Sequence, residues 1–62
     1  MGDKIVAFIE AYIKEHGYSP SLKEIGEAVG ISISHVSYWV DKMVEEGRLT
    51  KKPNISRSVR VV

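Results

Sequence analysis

Residues 20–49 read PSLKEIGEAVGISISHVSYWVDKMVEEGRL, and the punctuation of this stretch decides the architecture. Ser21-Leu22-Lys23-Glu24 has capping-box spacing: the serine hydroxyl can accept the Glu24 amide proton while the glutamate reaches back. A helix is predicted from there to about Val29, burying Leu22, Ile25, Ala28 and Val29. Gly26 inside so short a helix costs roughly 1 kcal/mol relative to alanine unless close packing against another helix uses the missing side chain. Gly30 stands where the chain must turn, and Ile31 is placed to plug the angle. Ser32 can then cap a third helix with apolar phase Val36, Trp39, Val40, Met43 and Val44, ending at Gly47.

Upstream, Ile5, Phe8, Ile9, Tyr12 and Ile13 recur at spacings of three and four and form one apolar stripe of a first helix. Asp3 is placed to cap its start and Gly17 to end it in a left-handed conformation. Pro20 biases Ser19 towards an extended shape, so the helix cannot run on. Downstream, Arg48-Leu49-Thr50 reads as a short strand and Ser58 to Val62 as a second, joined by a loop from Lys51 to Arg57 whose Pro53-Asn54 pair suits a turn. Alternation puts Leu49, Val59 and Val61 towards the helices and Thr50, Ser58 and Arg60 away from them. An isolated hairpin of this size is marginal, so it must lean on the helical core. The expected fold is α+β: a winged helix-turn-helix, three helices followed by a two-stranded β-hairpin wing, as one domain over residues 1–62.

At 62 residues a single core is only marginally sufficient, and without cysteine neither disulfides nor cysteine-ligated zinc can supplement it. Apolar residues make up 44% and charged residues 27%, a globular balance. No apolar run approaches the length of a membrane span and no signal peptide is apparent, so a cytoplasmic location is the default and no membrane partner is expected. The net charge of +1 is unevenly divided. Residues 1–46 carry four lysines against eight carboxylates, a balance of −4, whereas residues 47–62 carry Arg48, Lys51, Lys52, Arg57 and Arg60 with no acid, a balance of +5. Segregation of this kind favours an oriented encounter with a polyanion.

Opposite the apolar phase of the third helix lie Ser34, His35, Ser37, Tyr38, Asp41 and Lys42. Small hydroxyls, an imidazole and a phenol on the first two turns suit a helix that enters a major groove by its N-terminal part, and Ser32 lies at the terminus, where phosphate is attracted. Double-stranded DNA is the expected partner, with Lys51, Lys52 and Arg57 of the wing as phosphate contacts. Arg48 and Arg60 have Glu45 and Glu46 as candidate ion-pair partners, and Trp39 reads as core at this phase. His35 near Ser34 and Ser37 lacks an acid to orient it for serine nucleophilic catalysis, and His16 with His35 is too thin a set for a metal. No enzyme, catalytic residue, metal or cofactor is expected.

Nearly the whole chain resembles the N-terminal DNA-binding domain of the LexA repressor family. The resemblance is carried by Tyr12 to Ser21, with its glycine, aromatic, proline and serine; by Lys23 to Ser32, similar to the family's second helix and turn; by Val36 to Leu49, similar to its third helix and exit; and by Arg57 to Val61, similar to the return from its wing. The resemblance implies a sequence-specific DNA-binding transcriptional regulator, a repressor, whose third helix reads the major groove with Ser34, His35, Tyr38 and Lys42. Tyr38 and Trp39 depart from the polar or basic residues that relatives often carry there, so the operator does not transfer. The family's serine-lysine self-cleavage machinery has no counterpart in these residues. One small module on one half-site discriminates weakly, so a homodimer on a palindromic operator is expected. The acidic residues Glu10, Glu24, Glu27, Glu45 and Glu46 support a different reading, a winged-helix protein-protein interaction module. A third reading is a reader of duplex shape that uses Tyr38 and the wing.

Overall fold

Three helices precede a short antiparallel hairpin in the computed structural model, which describes residues 1–62. Helix α1 spans Gly2–His16, α2 Leu22–Val29 and α3 Ile33–Glu45; strand β1 is Leu49–Thr50 and β2 Arg60–Val61. The strands pair antiparallel in the register Leu49 with Val61 and Thr50 with Arg60. The core draws on every helix and on the hairpin: Ile5 and Ile9 from α1, Ile25 from α2, Val36, Val40 and Met43 from α3, then Leu49 and Val59. Because the hairpin supplies apolar side chains to the helical core, two residues per strand suffice to hold it.

The caps and turns of residues 20–32 are realised as the sequence predicts, while of the α2 residues expected to be buried Ile25 is fully so and Leu22 and Val29 only partly. The Glu24 N–H donates to Ser21 Oγ (3.1 Å) and the Ser21 N–H to Glu24 Oε1 (2.8 Å), closing the capping box. Gly17 and Gly30 end α1 and α2 in the left-handed region. At Gly26 a Cβ would stand 2.7 Å from the Ile31 carbonyl oxygen and 3.3 Å from Val36 Cγ2, so α2 meets the turn and α3 through backbone that only glycine can present. Ala28 is exposed rather than buried as expected. It follows Gly26 by two positions, about 200° around the helix, so the approach at Gly26 turns it to solvent.

Other expectations shift by a residue or two for identifiable reasons. Helix α1 is capped by Met1 without a side-chain bond, which places Asp3 inside the first turn, where its carboxylate accepts from Arg48 Nη2 (2.7 Å). Trp39 packs half-buried at the margin of the core, and Val44 is exposed beyond it. At the end of α3 the Gly47 N–H donates to the Val44 carbonyl (3.1 Å) and the Arg48 N–H to that of Met43 (2.8 Å), a Schellman pair with Gly47 at φ 81. That bond consumes the Arg48 amide, so β1 begins at Leu49 rather than Arg48. The second strand begins at Arg60 rather than Ser58, because Arg57 adopts φ 55 and the Ser58 hydroxyl turns back on the loop, donating to the carbonyls of Ile55 (2.8 Å) and Lys52 (3.1 Å). Leu49 and Val59 are buried and Val61 half-buried, while Thr50 and Arg60 face outward. No helix is long and apolar enough to cross a membrane.

Candidate nucleic-acid interface

Burial of Val36, Val40 and Met43 fixes the rotation of α3 and so decides which side chains it offers outward. Ser34, His35, Tyr38, Asp41 and Lys42 are exposed, and Ser37 is half-buried. Ser32 is the N-cap: its Oγ accepts the His35 N–H (3.3 Å) and lies 3.3 Å from His35 Nδ1. Ser32 and His35 thus form one local unit at the helix start, with the other imidazole nitrogen left for an external group. The remaining N–H groups of this first turn have no intrahelical acceptor, which makes the end electropositive.

Further along the same face, Tyr38 is 58% exposed and meets Trp39 edge-on, with ring centroids 5.7 Å apart. The Lys42 ammonium stands 5.9 Å from the Tyr38 ring centre and 5.6 Å from that of Trp39. The two rings hold a cation on the outer surface of α3, an arrangement that aromatic quadrupoles favour. Asp41, the one acid among these residues, is paired with Lys51 Nζ at 2.9 Å, so the face carries little net negative charge.

The basic segment is distributed differently from a free patch. Arg48 pairs with Asp3, Lys51 with Asp41 and Arg57 with Glu24, whereas Lys52 and Arg60 have no carboxylate within ion-pair distance. Arg48 therefore finds its partner at the start of α1, not at Glu45 or Glu46, and Arg60 pairs with neither. Arg57 is folded against the body: Nη1 and Nη2 donate to Glu24 Oε1 (2.8 Å) and Oε2 (3.3 Å), and Nη1 also donates to Tyr12 Oη (3.2 Å) and the Ser19 carbonyl (3.3 Å). The Ser21 amide, then the Arg57 guanidinium, lower the Glu24 carboxyl from 4.5 to about 2. The Glu24 carboxylate, then the Tyr12 hydroxyl, raise Arg57 further. Tyr12 is raised mainly by desolvation.

Between the start of α2, the start of α3 and the wing runs a groove of about 380 Å³. Lys23, Lys52, Ser56 and the side chains of Ile33 and Ile55 line it. Lys23, Ile33 and Ile55 are absent from the residues singled out in the sequence. Ile33 sits three positions before Val36 and so shares the apolar phase, but as the first residue of α3 it projects past the end of the core and is 52% exposed. Ile55 carried a legible signal, being an apolar side chain alone in a polar loop.

Three helices with a Gly-tight turn between the second and third, closed by an antiparallel hairpin, define the winged helix-turn-helix class. Within it the chain belongs to the LexA DNA-binding domain family, whose sequence model matches residues 2–58. It is 40% identical over 60 residues to the LexA repressor of Frankia alni, covering 95% of this chain and 24% of that protein. It is 41% identical over 58 residues to the LexA repressor of Mycobacteroides abscessus, covering 92% and 26%, and 35% identical over 60 residues to that of Carboxydothermus hydrogenoformans, covering 95% and 29%. The chain spans about a quarter of the length of these curated relatives.

Proposed function

We propose that the chain binds double-stranded DNA sequence-specifically and acts as a transcriptional repressor, in the cytoplasm, by occupying its operator. The observation that carries this reading is the outer face of α3, where Ser34, Tyr38 and Lys42 have no hydrogen-bond or ion-pair partner within the domain while the core locks the opposite face. In this reading Ser32, Ser34, His35, Ser37, Tyr38 and Lys42 approach base edges and phosphates in the major groove, and Lys51 and Lys52 of the wing hold the backbone or minor groove. Arg57 stands at the root of that wing. That the relatives are LexA repressors supports the regulatory reading. The relatives do not favour the protein-interaction alternative, and of the five acidic residues it invokes Glu24 is neutralised by Arg57 within the domain.

The chemistry is occupancy, and the affinity of one such module is modest, so two copies on a palindrome complete the reading. Selection of bound fragments from randomised duplexes tests it, followed by a salt series on the selected site. A defined palindromic product with log affinity falling linearly against log salt is expected. Recovery of no preferred sequence, or binding indifferent to salt, would overturn the proposal, and a single half-site would reduce it to a monomeric reader.

A further inference from the structure

We infer that Glu24 and Arg57 form a positioning pair that sets the wing against the helix-turn-helix, and that Arg57 is an internal anchor rather than a phosphate ligand. This inference rests on the DNA-binding reading for its effect on affinity, although the pair itself is a feature of the free domain. One guanidinium joins four parts of the fold. It reaches Tyr12 on α1, the Ser19 carbonyl in the turn after α1, and Glu24 on α2, and its carbon lies 5.2 Å from the Tyr18 ring centre. Arg57 itself closes the wing loop at a left-handed φ of 55.

Leu49 and Val59 root the strands in the core, but the loop from Lys51 to Ser58 beyond them has little else to fix its direction. Only two residues pair on each strand, and the Ser58 hydrogen bonds are internal to the loop, so they stiffen the loop without orienting it. The second outside tether is the single contact from Lys51 to Asp41. A planar fork received by both carboxylate oxygens specifies orientation in a way a lone ammonium cannot. Glu24 Oε1 at the same time accepts the Ser21 N–H, so one carboxylate closes the cap of α2 and docks the wing. The position of the wing is thereby tied to the helix that carries the turn into α3.

The two roles of Arg57 make opposite predictions. If Arg57 were a phosphate ligand, Glu24→Gln would release it and strengthen DNA binding, Arg57→Lys would largely retain affinity, and Arg57→Gln would flatten the salt dependence by about 0.9 per lost contact. For a positioning pair, Glu24→Gln, Arg57→Gln and Arg57→Lys each weaken binding, on the order of tenfold for a charge-assisted bond. The salt slope stays unchanged, and the Glu24→Gln/Arg57→Gln double variant is no weaker than either single. Glutamine still satisfies a capping box, so Glu24→Gln leaves α2 capped.

The experiment measures these four variants and the parent chain on the selected duplex across salt, with amide hydrogen exchange on the free proteins. In all four, exchange is expected to rise across residues 51–58 while the amides of Val36 to Met43 stay protected. Unchanged wing exchange, tighter binding by Glu24→Gln, or rescue by Arg57→Lys would overturn the inference. Should the parent chain bind no duplex, the DNA reading fails, and wing exchange alone still decides whether the pair holds the wing.

Discussion

Lys51 Nζ stands 2.9 Å from Asp41 Oδ1, joining the residue that leaves β1 to the exposed face of α3. The carboxylate keeps a cation beside the proposed reading helix and neutralises it at the same time. Asp41→Asn is therefore expected to free one positive charge for a phosphate, strengthening binding at low salt and steepening the salt dependence by about 0.9. Thermal stability should move little, because exposed pairs contribute about 0–1 kcal/mol. Titrations from 50 to 200 mM salt check both halves.

Removing the phenol separates recognition from electrostatic attraction. Tyr38→Ala should leave stability within about 0.5 kcal/mol, because the side chain is largely exposed and its contacts with Trp39 and Lys42 lie on the outer surface of α3. It should reduce preference for the selected site over random duplex by about 1–3 kcal/mol while weak, salt-sensitive binding persists. Competition of the two duplexes for the variant gives the ratio, and equal loss on both would place Tyr38 on the backbone instead.

Glu24 links stability to acid. Its carboxyl titrates at about 2 in the folded domain, against 4.5 ordinarily, so the folded state favours its ionised form. The stabilisation is complete above the unfolded value near 4.5, declines as pH falls, and is gone below about 2. Urea titrations at pH 6, 4, 3 and 2 should show the parent chain more stable than Glu24→Gln at pH 6, with the gap closing towards pH 2. A gap independent of pH would assign the difference to packing.

Gly26→Ala pits helix propensity against contact. Alanine favours the helix by about 1 kcal/mol. The new Cβ, however, meets the Ile31 carbonyl oxygen at 2.7 Å, and overpacking of this kind costs about 1–3 kcal/mol. The net expectation is a loss of about 1 kcal/mol, or about 4–8 °C in Tm for a domain of this size. A raised Tm would mean that the turn relaxes freely.

Ile9→Ala tests how narrow the margin of this small core is. Ile9 is fully buried, and truncation to alanine costs about 2–5 kcal/mol. At about 0.05–0.15 kcal/mol per residue the whole domain holds about 3–9 kcal/mol. Loss of most of the cooperative transition by circular dichroism is expected.

What was legible in the sequence depended on distance along the chain. The capping box at Ser21 and Glu24, the cap at Ser32, the close approach at Gly26 and the buried stripe of α3 are each specified by residues a few positions apart, and all are present. The ion pairs were not legible. Arg57 reaches Glu24 across 33 positions, Arg48 reaches Asp3 across 45, and no local pattern encodes either approach. The charge division showed that acid and base were segregated, and it did not show that the fold brings them together. Ser58 was misplaced for a related reason: alternation predicts a strand residue, but the left-handed Arg57 before it ends the extended chain. The face containing Ser34, His35, Tyr38 and Lys42 followed directly from helix phase, since burying Val36 and Val40 leaves those positions no other side to occupy.

A Cβ at Gly26 would fall 2.7 Å from the Ile31 carbonyl oxygen, so α2 sits against the turn into α3 with no room for a side chain, and close packing of this kind makes the bracket of α2 and α3 stiff. With the Ile31 carbonyl and Val36 Cγ2 packed directly on the Gly26 backbone, the angle between α2 and α3 resists closing, and the buried Ile25 and Val36 resist its opening. A stiff jaw passes misfit to whatever it grips. For a duplex, the strain then falls on base steps that bend, twist or narrow with different ease, including steps that no side chain reaches. Part of this domain's selectivity would then originate in an atom that is missing at position 26, expressed as the deformability of DNA.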